Sequence, residues 1–478
     1  MLKIFNLEKG FLWASVFLFF ACLVGSFIFD NFFILAVPFA LVGLVLLLQD
    51  VRLSFYLMLF FIPFSFNIGD VLDFPDEIFQ LILTLFFIFF LFQNRTKIEF
   101  RKIALHPLIL IILLSTIWLA ITVCFSTNPL LSSKYLVKKI WYLTPFLLFP
   151  IFFFQEKKTI IFAYQLIAFP LFLLTILITY RYSLLGFRFE DVQTPVEPFF
   201  QNHVIYGSML SCMIPLSVAA LFLSRKLSVQ WIIALLTIIS LLVATYFAYS
   251  RAAWVAVIFA AGIFISIRLR IVQFSILAFF ALVFAGVIWL STNNTYLTYK
   301  PKMDKTIMHE SLEDHIMATI QGTDISSAER YYRWIAALRM SQDYPVFGVG
   351  PNNWYDNYKK YTISSFRTWV SRNPEKSTSH NYFLFMIVEQ GYPAMILYAT
   401  LIFAIFFYSQ KIYHKLHDRF DKIVVISVAS MLGALFINNF FSELLETDKI
   451  GSLFYFGIAI LVVMGFKANK NTIIKSTL

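Results

Sequence analysis

The chain has little charge and little cysteine for its length. Only 14% of its 478 residues are charged, whereas soluble globular proteins typically carry about 25%. The three cysteines, Cys22, Cys124 and Cys212, lie in or beside apolar runs at unrelated spacings. This composition excludes an ordinary soluble enzyme, a disulfide framework and a cysteine-based zinc site.

Several catalytic motifs are also missing. The sequence has no G-x-S-x-G elbow and no P-loop. Gly348 and Gly350 form a Gly-x-Gly pair, but no strand precedes it and no third glycine opens a helix, so it is not a nucleotide loop. His309 and His315 do not have the H-E-x-x-H spacing of zinc proteases. We therefore predict neither a metal nor a cofactor.

The sequence is rich in hydrophobic residues. Hydrophobic residues make up 60% of the chain, and its mean hydropathy is +0.77. Apolar runs near the length that crosses a bilayer recur throughout, which predicts an all-α, polytopic membrane protein with about 12 to 14 transmembrane helices. Fourteen candidate spans are residues 10–29, 31–48, 53–66, 76–93, 106–124, 139–154, 159–180, 203–223, 230–249, 252–267, 272–290, 381–408, 423–441 and 450–466.

The basic residues predict how these spans are oriented. The net charge is +11. The basic residues lie mostly in short loops between the spans, where they indicate membrane topology rather than nucleic-acid binding. Both termini are predicted to be cytoplasmic, and the long polar segment is predicted to be periplasmic. The chain then divides into an N-terminal transmembrane bundle (1–290), a large external loop with short helices (291–379) and C-terminal transmembrane helices (380–478).

Two arginines are predicted to lie on the same outer face as the long loop. Arg188 precedes a polar stretch, where it could also be a solvated charge paired with Glu190 or Asp191. Arg251 follows Ser250 in a tight turn between two apolar runs, where it could also be an anchor that snorkels to the headgroups.

Within the long loop, residues 327–341 have a helical pattern. Its apolar positions recur at i, i+3, i+4 and i+7, Ser327 can cap its start, and Pro345 follows its end. Arg330 and Arg333 flank this stripe. The apolar stripe, which we expect to pack on the protein body or lie in the membrane interface, consists of Tyr331, Trp334, Ile335 and Leu338.

His380 stands directly before a long spanning helix, with Asn381 or Ser379 available as N-cap. A histidine here can be a structural donor. Beside several arginines at a helix start, however, it could act on a phosphate-bearing substrate, because helix N-termini favour anions and arginine forks bind phosphate oxygens. Such a positive field would keep the imidazole neutral, as a general base must be.

The order of these residues resembles the O-antigen ligase superfamily, the bacterial membrane enzymes that include lipid A-core O-antigen ligases and O-antigen polymerases. The resemblance covers roughly residues 187–391. Ala394 stands three positions after Gly391, the last glycine of the motif. This residue departs from the ligase pattern, so both ligase and polymerase activity stay open. The motifs that carry the resemblance are Ser250-Arg251, Glu329-Arg330 through Trp334 and Ala337 to Pro345 and Gly348-Val349-Gly350, and His380-Asn381 followed by nine residues and Gly391.

The resemblance implies a GT-C-like fold in the bacterial inner membrane. It also implies an inverting, metal-independent glycosyltransferase of lipopolysaccharide biosynthesis, with an undecaprenyl-diphosphate-linked glycan as donor. The acceptor would be lipid A-core for a ligase, which we favour, or another glycan for a polymerase. By the same analogy His380 would be the catalytic base, and Arg188, Arg251 and Arg330 would bind the diphosphate. A lipid-linked oligosaccharide flippase is the alternative from another class, but it should carry ionisable groups near the bilayer midplane.

Overall fold

The computed structural model describes residues 50–68, 72–96, 98–299, 325–367, 369–372 and 378–469. The predicted spans 10–29 and 31–48 and the segment with His309 and His315 lie outside these residues. The chain forms two compact units, residues 1–59 and 60–478. All side chains discussed below belong to the second unit.

Helices make up most of the described chain, and a short antiparallel hairpin pairs Phe66–Ile68 (β1) with Leu72–Phe74 (β2). The α-helices are α1 Val51–Phe61, α2 Asp76–Asn94, α3 Phe100–Ala104, α4 Pro107–Cys124, α5 Pro129–Leu143, α6 Phe149–Phe153, α7 Lys157–Leu184, α8 His203–Leu223, α9 Val229–Phe247, α10 Arg251–Leu269, α11 Val272–Ser291, α12 Ile325–Asp343, α13 Trp354–Asn357, α14 Tyr382–Lys415, α15 Arg419–Phe440 and α16 Asp448–Ala468.

Eleven helices among the described residues are long and apolar enough to cross a membrane. They match eleven of the fourteen predicted runs, which confirms the all-α, polytopic membrane class. The predicted run 53–66 holds only α1 and a 3-10 turn, and it is shorter than these spans. The run 139–154 belongs to a longer span, Pro129–Phe153. The first half of this span carries three lysines, so it was not recognised as an apolar run in the sequence.

The helices α15 and α16 are the most enclosed part of this unit. In their most apolar windows 89% and 94% of the residues are buried, so neighbouring helices surround both. Their connection, residues 441–447, is short. It therefore lies at the centre of one end of the bundle, and side chains from the surrounding helices converge on it.

Several helix ends meet at this same end of the bundle. The side chain of Asn381, just before α14, donates a hydrogen bond of 2.9 Å to the carbonyl of Phe440 at the end of α15. The rings of Phe259 in α10 and Phe436 in α15 lie 5.6 Å apart, and Gly433 faces Ile263, so α10 and α15 are antiparallel. We call the end formed by the starts of α10, α14 and α16 and the end of α15 the site face.

Candidate functional site

His380 is fixed at the site face by the residue that follows it. Asn381 is the N-cap of α14, because its side-chain oxygen accepts a hydrogen bond of 3.0 Å from the amide of Leu384. The same side chain binds the end of α15 through Phe440. His380 itself has a left-handed backbone with φ of 52°, which turns the chain sharply before the helix starts. The imidazole position is thus set by backbone and cap.

Two charged side chains lie next to the two nitrogens of the His380 ring. Arg333 Nη1 donates a hydrogen bond of 2.7 Å to Nε2, and Glu443 Oε2 lies 3.7 Å from Nδ1. Because Nε2 accepts this bond, the ring proton is on Nδ1 and faces the carboxylate. Glu443 comes from the central 441–447 connection, so the site joins that connection to α12.

The surroundings of His380 favour its neutral form. Burial and the positive charges of Arg333 and Arg330 lower the pKa of His380 to about 3. The imidazole is therefore uncharged at neutral pH, and burial, which the sequence prediction did not include, contributes more to this than the arginines do. Burial raises the pKa of Glu443, against hydrogen bonds from Thr378 and the charge of Arg333, which lower it.

Arg333 is itself buried, with 5% of its surface exposed. Its Nη2 lies 3.6 Å from Glu329 Oε2, one helical turn earlier, and Glu329 also accepts a hydrogen bond from Ser371. Arg333 Nη1 donates a second bond of 3.1 Å to the carbonyl of Thr378. A buried guanidinium needs such partners, because an unpaired charge in the protein interior is costly.

The predicted stripe forms only part of the face that α12 packs on the protein. Tyr331 and Ile335 are half-buried and pack against the core as expected, but Leu338 is 45% exposed and the buried positions include Arg333. Three alanines, Ala328, Ala336 and Ala337, explain the difference. Their small side chains let α12 approach its neighbours closely and leave room for the Glu329 and Arg333 pair at one end of the buried face. The apolar residues of the buried face are Ala328, Tyr332, Ala336, Ala337 and Met340.

The loop after α12 crosses α14 at very short range. The amide of Val349 donates to the carbonyl of Val388 at 2.8 Å, and the amide of Tyr392 donates to the carbonyl of Pro345 at 2.9 Å. At the crossing α14 is kinked at Gly391, which has φ of 78° and ψ of 177°, a region that only glycine adopts freely. A Cβ atom at Gly391 would overlap the carbonyl of Val346. The last glycine of the His-Asn motif is therefore a packing requirement.

A buried carboxylate reinforces this crossing. Glu389, in α14, is 1% exposed and accepts hydrogen bonds from the amides of Asn352 at 2.7 Å and Trp354 at 3.3 Å. These bonds tie residues 352–354 to the helix that begins beside His380. Sequence reasoning did not single out Glu389, although a lone carboxylate in an apolar run was the available signal.

A second carboxylate of the 441–447 connection gathers side chains from α5 and α14. Glu446 accepts hydrogen bonds from Tyr135 at 2.6 Å, Tyr382 at 2.7 Å and Lys139 at 3.1 Å. Burial alone would raise its pKa, but the Lys139 ammonium and the two tyrosine hydroxyls lower the pKa of Glu446 below its usual value. A cavity of about 60 Å³ lined by Tyr135, Lys139 and Tyr382 adjoins this cluster.

Of the three arginines predicted from sequence, Arg251 and Arg330 are half-buried and Arg188 is exposed. Arg330 is half-buried on α12 and acts electrostatically on His380. Arg251 starts α10, capped by Ser250, and the antiparallel register with α15 brings it to the level of the 441–447 connection. Arg188 is exposed, in a loop held by a hydrogen bond of 3.3 Å from the Tyr249 hydroxyl to the Phe187 carbonyl.

One group of carboxylates among the described residues has metal-like spacing. Ligand atoms of Asp73, Glu77 and Asp448 lie within 4.8 Å of one another, and Lys138 Nζ is 3.1 Å from Glu77 Oε1. The group contains neither His380 nor any of the predicted arginines. Acidic residues in the first turn of α2 and of α16 also complement the helix dipoles.

Residues 236–399 match the family model described as O-antigen ligase, in agreement with the resemblance identified from the motifs. No curated protein matches the chain. The matched segment contains Arg251, Arg330 and His380, whereas Arg188 precedes it and Glu443 follows it. The carboxylate that faces the imidazole thus lies outside the matched region.

The glycine kink generates a prediction about folding. Gly391→Ala should destabilise the protein by at least ~2 kcal/mol, because the added methyl group meets backbone and the φ angle is strained. Gly286→Ala is the control, since a Cβ atom there meets nothing within 4 Å. Thermal unfolding in detergent, followed by fluorescence, should show a clear drop for the first variant only. Equal unfolding temperatures for both would show that the crossing is not tight.

Proposed function

We propose, from the premise that this chain belongs with the O-antigen ligase superfamily, that it moves a glycan from undecaprenyl diphosphate to a sugar hydroxyl of lipid A-core. At a coarser level, the family match supports a glycosyltransferase-like enzyme of the ligase or polymerase type, and the eleven candidate spans among the described residues support a multi-pass membrane protein. The observation that best supports the finer proposal is His380, a neutral imidazole set among arginines at one end of the bundle.

The proposed reaction is a single displacement with inversion at the anomeric carbon. The acceptor oxygen forms a bond to that carbon, and the bond from carbon to the diphosphate oxygen breaks, leaving its electron pair on the diphosphate. The acceptor proton moves to Nε2 of His380. Glu443, opposite Nδ1, then stabilises the imidazolium that forms.

The diphosphate leaving group requires positive charge rather than a proton. We assign this role to Arg251 and Arg330 at the site face, with Arg188 as an outer contact. Guanidinium forks bind two phosphate oxygens at once and neutralise the charge that develops as the bond breaks. The site then needs neither a metal nor another cofactor.

The same chemistry would serve a polymerase, whose acceptor is a second glycan chain. A flippase would instead move the lipid-linked glycan without bond formation. The experiment that separates these functions incubates purified protein with lipid-linked glycan, lipid A-core and EDTA, and measures which acceptor is extended. Extension of lipid A-core supports the ligase. Extension of the donor glycan alone identifies a polymerase, and no extension of either refutes the transferase proposal.

His380→Ala should lower the transfer rate in this assay by ~10² to 10⁴, because a general base contributes about that much. The variant should remain folded, since the cap of α14 is Asn381. His417→Ala is the matched control, because His417 is exposed after α14. Turnover close to wild type in the His380 variant would limit the histidine to a structural role.

Arg251→Lys distinguishes a diphosphate ligand from an interfacial anchor. Lysine reaches the headgroups as well as arginine does, but it lacks the planar fork, and a charge-assisted bond of ~1.5 to 3 kcal/mol is at stake. We expect a roughly ten- to hundredfold loss of transfer, and the same for Arg330→Lys. Arg268→Lys, at the exposed opposite end of α10, should be neutral. Full activity of both site variants would contradict the diphosphate role.

We further place the site face in the periplasm of the inner membrane, with both termini cytoplasmic, because the basic residues concentrate at the opposite end. A cysteine at Ser364 should then react with an impermeant maleimide added to intact spheroplasts. A cysteine at Ser228 or Gln410 should react only after lysis. The reverse labelling pattern would put the site on the wrong side for a flipped donor.

A further inference from the structure

The contact between Arg333 and His380 conflicts with the role proposed for the histidine. A general base needs a free lone pair, and the only lone pair of a neutral imidazole is on its unprotonated nitrogen. In this structure that nitrogen, Nε2, accepts the 2.7 Å hydrogen bond from Arg333 Nη1. The other nitrogen carries the proton and faces Glu443. In this arrangement the imidazole cannot take a proton from an acceptor hydroxyl.

We propose that Arg333 is a diphosphate-binding residue that covers Nε2 of His380 until the donor is bound, and then turns to the phosphate and uncovers the base. This inference rests on the proposed transfer from a diphosphate-linked donor. It assigns a substrate contact to a side chain outside the three arginines predicted from sequence.

The present partners of Arg333 Nη1 are weaker acceptors than a phosphate oxygen. Nη1 contacts a neutral ring nitrogen and the Thr378 carbonyl, whereas hydrogen bonds from arginine to an ionised oxygen are roughly twice as strong as neutral ones. An arriving diphosphate should therefore displace both. The Glu329 carboxylate lies 3.6 Å from Nη2, on the other branch of the guanidinium, so the side chain keeps this partner when Nη1 changes acceptor.

Arg330 places a second guanidinium close to this contact. Arg330 and Arg333 are three residues apart on α12 and therefore lie on neighbouring parts of its surface, and both lower the pKa of His380. A diphosphate bound between them would oppose their charges as well as remove the covering hydrogen bond. The base would become available and more basic in the same step.

Within the part of the chain that the structure describes, the charged groups that act on His380 come from two elements. Arg330 and Arg333 face it from α12, with Glu329 behind Arg333, and Glu443 faces it from the 441–447 connection. Removal of the Arg333 charge should therefore raise the pKa of His380 from about 3, by ~1 to 3 pH units for a lost neighbouring charge. The carboxylate of Glu443 then acts in the same direction.

The test is a histidine titration of the full chain in nanodiscs, by NMR of ¹³C-labelled imidazole groups, with the His380 signal assigned through His380→Gln. In wild type without ligand, the signal should stay mostly neutral from about pH 8 down to about pH 4. Arg333→Met should bring its titration into reach at the low end of this range. Arg339→Met is the control, because Arg339 is exposed on the same helix and should change nothing.

Two further arms keep the test decisive. Glu329→Gln combined with Arg333→Met removes both members of the buried pair, so it serves if the single variant does not fold. Adding inorganic pyrophosphate to wild type should shift the His380 signal and raise its pKa without any substitution. An unchanged His380 titration in the folded variant, or no response of wild type to pyrophosphate, would overturn the proposal.

These readouts do not depend on glycan transfer. A protein in which His380 responds to Arg333→Met and to pyrophosphate, but which extends no acceptor, would refute the proposed function and leave the coupling in place. A protein that transfers glycan while its His380 titration ignores both changes would refute the coupling and leave the function standing.

Discussion

The site depends on the cost of burying two carboxylates in the connection between α15 and α16. An ionised carboxylate in a protein interior needs a charged or hydrogen-bonding partner, and the Glu443 and Glu446 side chains are only 17% and 21% exposed to the solvent that would otherwise serve. Glu446 obtains its partners from α5 and α14. Glu443 faces His380. The need to satisfy these two side chains therefore brings distant parts of the chain to one point.

A second buried charge pair fixes α12 to that point. Breaking a buried pair by removing one member typically costs about 3 to 5 kcal/mol, although replacing both members can be nearly neutral. Glu329 and Arg333 on α12 are such a pair, and Arg333 extends from it to Thr378 and His380. The contacts specify where α12 lies against the start of α14 more than they add stability. The glycine crossing at Gly391 sets the same relation from the other end of α12.

The sequence predicted the spans well because each is a long apolar run. It predicted α12 to within two residues at each end, although Ser327, the predicted cap, lies inside the helix, which begins at Ile325. It predicted the packed face of α12 only in part: Tyr331 and Ile335 do pack on the core, but periodicity could not show that alanines and an ion pair occupy several of the most buried positions. The motif order singled out His380, Arg251 and Arg330, whose roles stay predictions. It could not identify Glu443, whose connection to the imidazole depends on the packing of α14 against α15 through Asn381.

The metal-free diphosphate site that we propose has an inherent electrostatic conflict. The positive charge that binds a leaving diphosphate also lowers the basicity of any imidazole beside it, and a base works best when its pKa is near the ambient pH. Distance would relieve the conflict, but base and leaving group act on opposite sides of one carbon atom and so remain within a few bond lengths. Glu443 relieves part of it, because a carboxylate at Nδ1 favours the protonated ring. The rest must come from the substrate, whose own negative charge is the only large compensating charge that enters the site at the moment when the base is needed.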